Sequence, residues 1–416
     1  MCRGVIAMHL NPGLLKFDLA IRGARLGPGV REHPEIERLT RGPDYVARCL
    51  ELVLPEDVWV SVPIGDRFIG ASPYELRANG DGFVVNANGQ GCDVRIVPPP
   101  RFYGETTRAG MPMWRVGSAY GGYVAINPAA GCGFVPRGLA CRFCDLPTRA
   151  PERDAPIPVA DVVDTVRAAF AEGAVEFVYL HIGYLDGEDA GAAFLEPYVR
   201  AVKRHFDTLV AVQLQPPRTN AWIDRTYAMG ADALSYSVEI HDPELLQRHC
   251  AGRAAHVGRE RYYEALAHAA SIFPSGTVWS DLIVGLEPPE STIAGIDALV
   301  GLGVLPVLSL FRPLDDTLLH DHPLPAAETV APIFAHLFNA VRKARINMHW
   351  VRDLSFAVTP IEARFFADDD ARASASAGLG SFYRSRLGSL AARNLSRLRR
   401  RLRVRQVSDS FDSSHL

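Results

Sequence analysis

From Gly122 to about residue 312 the sequence alternates, six times over, a short apolar or β-branched run with a longer segment whose apolar residues recur at helical spacing. The runs are YVAINP (123–128), FVYLHIG (177–183), LVAVQLQ (209–215), LSYSVEI (234–240), VWSDLIVG (278–285) and LPVLSL (305–310). Between them lie segments such as VADVVDTVRAAFAEG and STIAGIDALVGLG, several of which end in the glycine that stops a helix. This rhythm builds a parallel sheet, because each helix provides the crossover that parallel neighbours need. The expected fold is α/β, a partial (β/α)6 or related TIM-type barrel over residues 121–320. In such barrels the reactive groups sit at the C-terminal ends of the strands.

The flanks read differently. Residues 1–120 predict an N-terminal accessory α+β region, with a helix around Asp44–Leu54 and extended runs DVWVSVPI, GFVVNA and CDVRIV separated by Gly/Asn turns. Residues 321–416 predict a C-terminal helical extension. It comprises the helix VAPIFAHLFNAVRKARIN, an arginine-rich helix over 393–405 and a Ser/Asp-rich tail expected to be disordered. In 416 residues no apolar run reaches bilayer length, and the net charge of −3 gives no global attraction to nucleic acid or membrane. The first residues lack the pattern of a signal peptide, so the expectation is a cytoplasmic protein with no membrane partner.

Seven cysteines, an odd number with no export signal, argue against a disulfide framework. Cys2, Cys49, Cys92 and Cys250 are scattered, whereas Cys132, Cys141 and Cys144 crowd together as C-x8-C-x2-C just after the first barrel strand. Three thiolates suit a four-iron cluster, since they leave one iron open to an outside ligand. Gly131, Gly133 and Gly138 allow the loop to wrap close, with amide groups able to bond to sulfur. Two further possibilities stay open on spacing alone: a zinc site with a distant fourth ligand such as His181, and a redox pair of Cys141 and Cys144.

At these residues the sequence resembles the radical S-adenosylmethionine (radical SAM) superfamily. It keeps the terminal CRFC with the aromatic Phe143, but spaces its first two cysteines by eight residues where the family usually has three. ADALSYSVEIHDPELLQRHCAGR resembles the fourth barrel strand and its loop, and VWSDLIVGLEPPES the fifth, over a resemblance spanning residues 120–312. The resemblance implies that Cys132, Cys141 and Cys144 bind a [4Fe–4S] cluster. It puts Phe143 beside the adenine of S-adenosylmethionine, and Gly183 and Tyr184 at the place of an amino-group-binding triplet that is absent here. It further implies Ser237 and Glu239 toward the ribose or amino group, Arg253 toward the carboxylate, and Ile283 and Gly285 along the adenine.

Several of these residues also suit plainer roles: an ion pair between Glu239 and Arg253 or Arg248, simple packing for Tyr184, and polar barrel filling for Gln213, Gln215 and His181. The implied activity is reductive cleavage of S-adenosylmethionine and radical chemistry on a small-molecule substrate, with an external electron donor of flavodoxin or ferredoxin type. An RNA-modifying enzyme using the basic C-terminus and a zinc-stabilised, non-catalytic barrel are the alternatives. No residue is assigned a catalytic role on the substrate.

Overall fold

A computed structural model describes residues 11–34, 36, 49–80, 82–145, 155–173 and 175–367. The basic 393–405 stretch and the tail lie outside these residues.

The chain opens with helix α1 (Pro12–Arg22), whose first amides are capped by the side chain of Asn11 and whose Pro12 fits the first turn, where no amide donor is needed. Six strands follow: β1 (Arg25–Leu26), β2 (Cys49–Leu54), β3 (Val58–Pro63), β4 (Glu75–Asn79), β5 (Gly82–Ala87) and β6 (Gln90–Ile96). They form one sheet in the order β1-β4-β5-β6-β2-β3. The helix expected around 44–54 is corrected over Cys49–Leu54, which is a strand. CLELVL alternates in burial at its start and pairs antiparallel with Val58–Pro63, so cross-strand packing outweighs the helix propensity of its leucines.

The second sheet is the barrel. After β7 (Ser118–Tyr120), the strands β8 (Tyr123–Ile126), β9 (Phe177–His181), β10 (Leu209–Gln213), β11 (Ala233–Ser235), β12 (Val278–Val284) and β13 (Leu305–Leu310) run parallel in sequence order. Five of the six fall inside the apolar runs, and β11 starts one residue ahead of its run, at Ala233. Helices α2 (Val159–Ala171), α3 (Ala192–His205), α4 (Ala221–Ala228), α7 (Arg259–Ile272) and α8 (Pro289–Gly301) occupy the crossovers. Two short helices, α5 (Pro243–His249) and α6 (Ala251–His256), interrupt the fourth crossover. The fold is thus the expected partial TIM-type barrel.

The eight-stranded sheet does not close; its ends are β7 and the C-terminal β14 (Ala357–Val358), each antiparallel to its neighbour. Helix α9 (Ala327–Lys343) precedes β14, and a short α10 (Pro360–Ala363) follows it. This C-terminal segment is clasped to the N-terminal region. Lys16, fully buried, donates to the Leu354 carbonyl at 2.6 Å and pairs with Glu362 at 3.3 Å. The Ser61 amide donates to the Ser355 carbonyl at 2.9 Å. Gly121 takes a φ of 56°, and a β-carbon there would overlap the Asp353 carbonyl, so the turn entering β8 admits the crossing segment only as glycine. No helix among the described residues is long and apolar enough to cross a membrane.

Candidate active site

The cysteine loop sits at the C-terminal end of β8 and is anchored to the end of the next strand. The Gly133 amide donates to the Tyr184 carbonyl at 2.8 Å, and the Tyr184 amide donates to the Cys132 sulfur at 3.3 Å. A β-carbon on Gly183 would lie 2.6 Å from the Cys132 β-carbon and 2.9 Å from its sulfur, so glycine is what lets Cys132 approach. The amide aimed at sulfur therefore comes from the neighbouring strand end, whereas the Gly133 and Gly138 amides of the loop donate to carbonyls. The long first spacing is taken up by a folded turn: Leu139 donates to the Phe134 carbonyl at 2.9 Å, and the buried Phe134 stacks on Tyr184 with centroids 4.2 Å apart and planes at 10°. Beyond it, the Arg142 amide donates to the His249 carbonyl at 2.9 Å, tying the second half of the loop to α5.

Cys132, Cys141 and Cys144 line one cavity of about 110 Å3, together with Gly183, Tyr184, Ser237, Glu239 and Arg253. Eight of the eleven residues singled out from sequence thus meet there. The remaining three lie elsewhere: Phe143 and Ile283 pack with Cys141 in a small apolar cluster that also holds Cys250 and Phe311, and Gly285 faces Pro325. His181 lines the adjoining chamber instead, whereas Gln215 lines the cysteine cavity. Among the described residues no three His, Cys, Asp or Glu side chains are grouped as around one metal ion. A four-iron cluster asks for something else, since each thiolate binds a different iron.

Glu239 and Arg253 form a largely buried ion pair at 2.9 Å, the alternative the sequence left open, with Arg253 also donating to the Ser237 carbonyl at 2.6 Å. Glu239 is held at φ 68° by β12, its amide donating to the Asp281 carbonyl and its carbonyl accepting from Ile283. A non-glycine residue in this region is strained and is kept there by its surroundings. Burial pushes the Glu239 carboxyl up to about 8 against the pull of Arg253. The Arg253 Nε is buried with no hydrogen-bond partner among the described residues, a donor available to an anionic group.

Two features were missed from sequence. Cys250, counted as scattered, is fully buried in the same apolar cluster as Cys141 and, with Arg253, lowers the Cys141 thiol to about 6. The signal was there, since Cys250 lies in the same fourth-strand segment as Arg253. The second is a chamber of about 540 Å3 inside the barrel. Its walls carry Tyr123, Phe177, Tyr179 and Trp279 from the strands, and Trp350 and Phe356 from the crossing segment. Gln213 and Glu239 line both chamber and cysteine cavity and form the partition between them. Gln213 donates to Ser237 Oγ at 2.6 Å and accepts from Tyr179 Oη at 2.5 Å, while Ser237 donates to the buried Asp281 at 2.7 Å.

An open βα barrel with three thiols at the mouth of its first strand is similar in arrangement to radical SAM enzymes. No family model matches the chain. Bacteriochlorophyllide c C-7(1)-hydroxylase of Chlorobaculum limnaeum is 24% identical over 120 residues, 29% of this chain and 30% of that protein. Among solved structures, methylornithine synthase is 15% identical with a TM-score of 0.41, covering 54% of this chain and 62% of that one. A radical SAM methyltransferase from Sphaerobacter thermophilus is 14% identical with a TM-score of 0.38, covering 66% of this chain and 75% of that one. The chain thus spans less than two thirds of the first two of these relatives.

Proposed function

We propose that the chain is a cytoplasmic radical SAM enzyme that cleaves S-adenosylmethionine at a [4Fe–4S] cluster and uses the radical on a small molecule enclosed in the barrel. The observation that carries this reading is the meeting of Cys132, Cys141 and Cys144 on one cavity that shares Gln213 and Glu239 with a larger chamber. The donor set suits the group: three thiols on one cavity, beside the Arg253 Nε, which has no hydrogen-bond partner among the described residues. When bound, cluster and cofactor together supply a 5′-deoxyadenosyl radical, with the electron coming from an external flavodoxin- or ferredoxin-type donor.

The chain's own groups do the rest. Cys132, Cys141 and Cys144 would hold three irons. Ser237, Glu239 and Arg253 line the space where the cofactor's polar groups would sit. At about 110 Å3 the cysteine cavity falls below the roughly 300 Å3 lower end of small-molecule pockets, so a nucleoside-sized cofactor would need further space, which the adjoining chamber offers. The aromatic walls of that chamber would exclude water from a radical that attacks nearby C–H bonds. The partition also orients: Tyr179, Gln213, Ser237 and Asp281 are fixed on one another, so Gln213 cannot swing without breaking neighbouring bonds.

The test is anaerobic purification followed by assays of iron, sulfide and 5′-deoxyadenosine. Wild-type protein is expected to be brown and to release 5′-deoxyadenosine on reduction with S-adenosylmethionine. Cys141→Ala is expected to lose the cluster and all turnover. A full cluster retained in Cys141→Ala overturns the proposal.

A further inference from the structure

We infer that the barrel chamber binds a flat aromatic molecule carrying an anionic group, a carboxylate or a phosphate. This rests on the radical reading only in taking the chamber as the substrate site. Its volume of about 540 Å3 lies within the range of roughly 300–1,000 Å3 that encloses small molecules.

Two properties of the walls select the ligand. The first is the run of rings along one side. Tyr123 stacks on Phe177 with centroids 5.2 Å apart and planes at 23°, Phe177 meets Trp350 edge-on at 5.1 Å, and Tyr179 lies 6.0 Å from Trp279. The usual filling of a barrel interior is layered, branched aliphatic side chains. Here the rings leave flat faces and edges around open space, which favours a planar π-system over a saturated one of equal size.

The second property is charge. Arg115 and Arg312 both line the chamber, and among the described residues neither has a carboxylate within salt-bridge distance. Arg312 donates to the Cys49 sulfur at 3.9 Å, and Arg115 lies over the Trp114 ring at 5.7 Å. Most other arginines with a described environment are paired: Arg253 with Glu239, Arg225 with Glu196, Arg352 with Glu176. A guanidinium offers planar, two-pronged donation suited to a carboxylate or phosphate. A further polar contact awaits the ligand in the Tyr123 hydroxyl, which lines the chamber, is 2% exposed and has no hydrogen-bond partner among the described residues. A nonpolar hydrocarbon would leave all three groups unsatisfied.

Isothermal titration calorimetry on the full chain, anaerobically loaded with iron and sulfide, tests this with four probes: 2-naphthoate, 2-naphthyl phosphate, the neutral 2-naphthamide and the saturated cyclohexanecarboxylate. One naphthyl anion is expected to bind at least about tenfold more tightly than both naphthamide and cyclohexanecarboxylate, the size of a charge-assisted hydrogen bond. Which anion it is identifies carboxylate or phosphate. The double variant Arg115→Gln/Arg312→Gln is expected to lose that preference for charge while still binding naphthamide. Equal binding of charged and neutral probes, or of flat and saturated ones, overturns the inference, as does an anion preference that survives the double variant. Running Cys141→Ala in parallel separates the two proposals. Anion binding within about twofold of wild type there, with iron and turnover gone, supports both. A cluster retained in that variant sinks the radical reading and leaves the binding result to stand or fall alone.

Discussion

The two cavities that meet at Gln213 and Glu239 are built in opposite ways. The cysteine cavity is assembled within the barrel, from the loop after β8, the end of β9 and the segment following β11, with contacts between successive barrel units such as the Tyr184 amide on the Cys132 sulfur. The chamber needs the whole chain. Its walls draw on Cys49 and Ser61 from the first sheet, Arg115 to Tyr120 ahead of the barrel, and Trp350 to Phe356 from a segment that crosses near residue 121.

The largest effect expected from breaking this contrast is at the clasp. Lys16 is fully buried and joined to Leu354 and Glu362 across more than 300 residues. Burial lowers its pKa, opposed by Glu362. Lys16→Met leaves the Glu362 carboxylate buried and unpaired, and a loss of about 3–5 kcal/mol is expected by denaturant unfolding. Lys16→Met/Glu362→Gln is expected to recover most of it, because the amide keeps the Thr359 cap without a stranded charge. In both variants iron per folded protein should stay at the wild-type level. Loss of iron would show that the cavities are not independent. Gly183→Ala is the mirror experiment and the next in size. The added methyl meets the Cys132 β-carbon at 2.6 Å, so about 1–3 kcal/mol of overpacking falls on the cluster loop. Reduced iron occupancy with unchanged naphthyl-anion affinity is the expected result.

The same division governs what the sequence made legible. Barrel strands announce themselves because most are buried on both faces and read as apolar runs, and each crossover helix carries its own periodicity. The cysteines were legible because ligand spacing is local. Phe134 was not, and Cys250 only through its place near Arg253, since their roles depend on which surfaces the loop and α5–α6 present to each other. Cys49–Leu54 read as a helix because its partner strands, not its composition, decide its state. The chamber was invisible for the strongest reason. Arg115, Arg312 and Trp350 lie up to 235 positions apart and carry no shared motif.

At the partition, pH offers a finer probe. Burial raises the Asp281 carboxyl above the usual range, with Ser237 and Ser309 bonds opposing. The native state therefore keeps this proton at pH values where the unfolded chain has lost it. The stability so gained is full below the ordinary Asp range and is lost as pH rises through the native value. Wild-type stability should fall across that window relative to Asp281→Asn, by at most about 1.4 kcal/mol per pH unit. Parallel stability curves for the two proteins would show that Asp281 ionises normally and that the Ser237 and Gln213 contacts rest on a charged partner.

The smallest effect separates two adjacent tyrosines of the chamber wall, whose rings meet edge-on at 5.7 Å. Tyr179 Oη donates to Gln213 at 2.5 Å and belongs to the partition. Tyr123 Oη is buried with no partner among the described residues and belongs to the chamber alone. Tyr179→Phe leaves the Gln213 carbonyl without that donor and is expected to cost about 1–3 kcal/mol. Tyr123→Phe removes a hydroxyl that was desolvated for no bond in the ligand-free protein, so a change within about 0.5 kcal/mol, or a slight gain, is expected in thermal unfolding. A hydroxyl kept at such a position serves the occupant of the chamber and not the fold. The matching expectation is that Tyr123→Phe weakens the favoured naphthyl anion while stability holds. If stability drops as much as in Tyr179→Phe, the Tyr123 hydroxyl is part of the wall's own network and the chamber's polar contacts reduce to its two arginines.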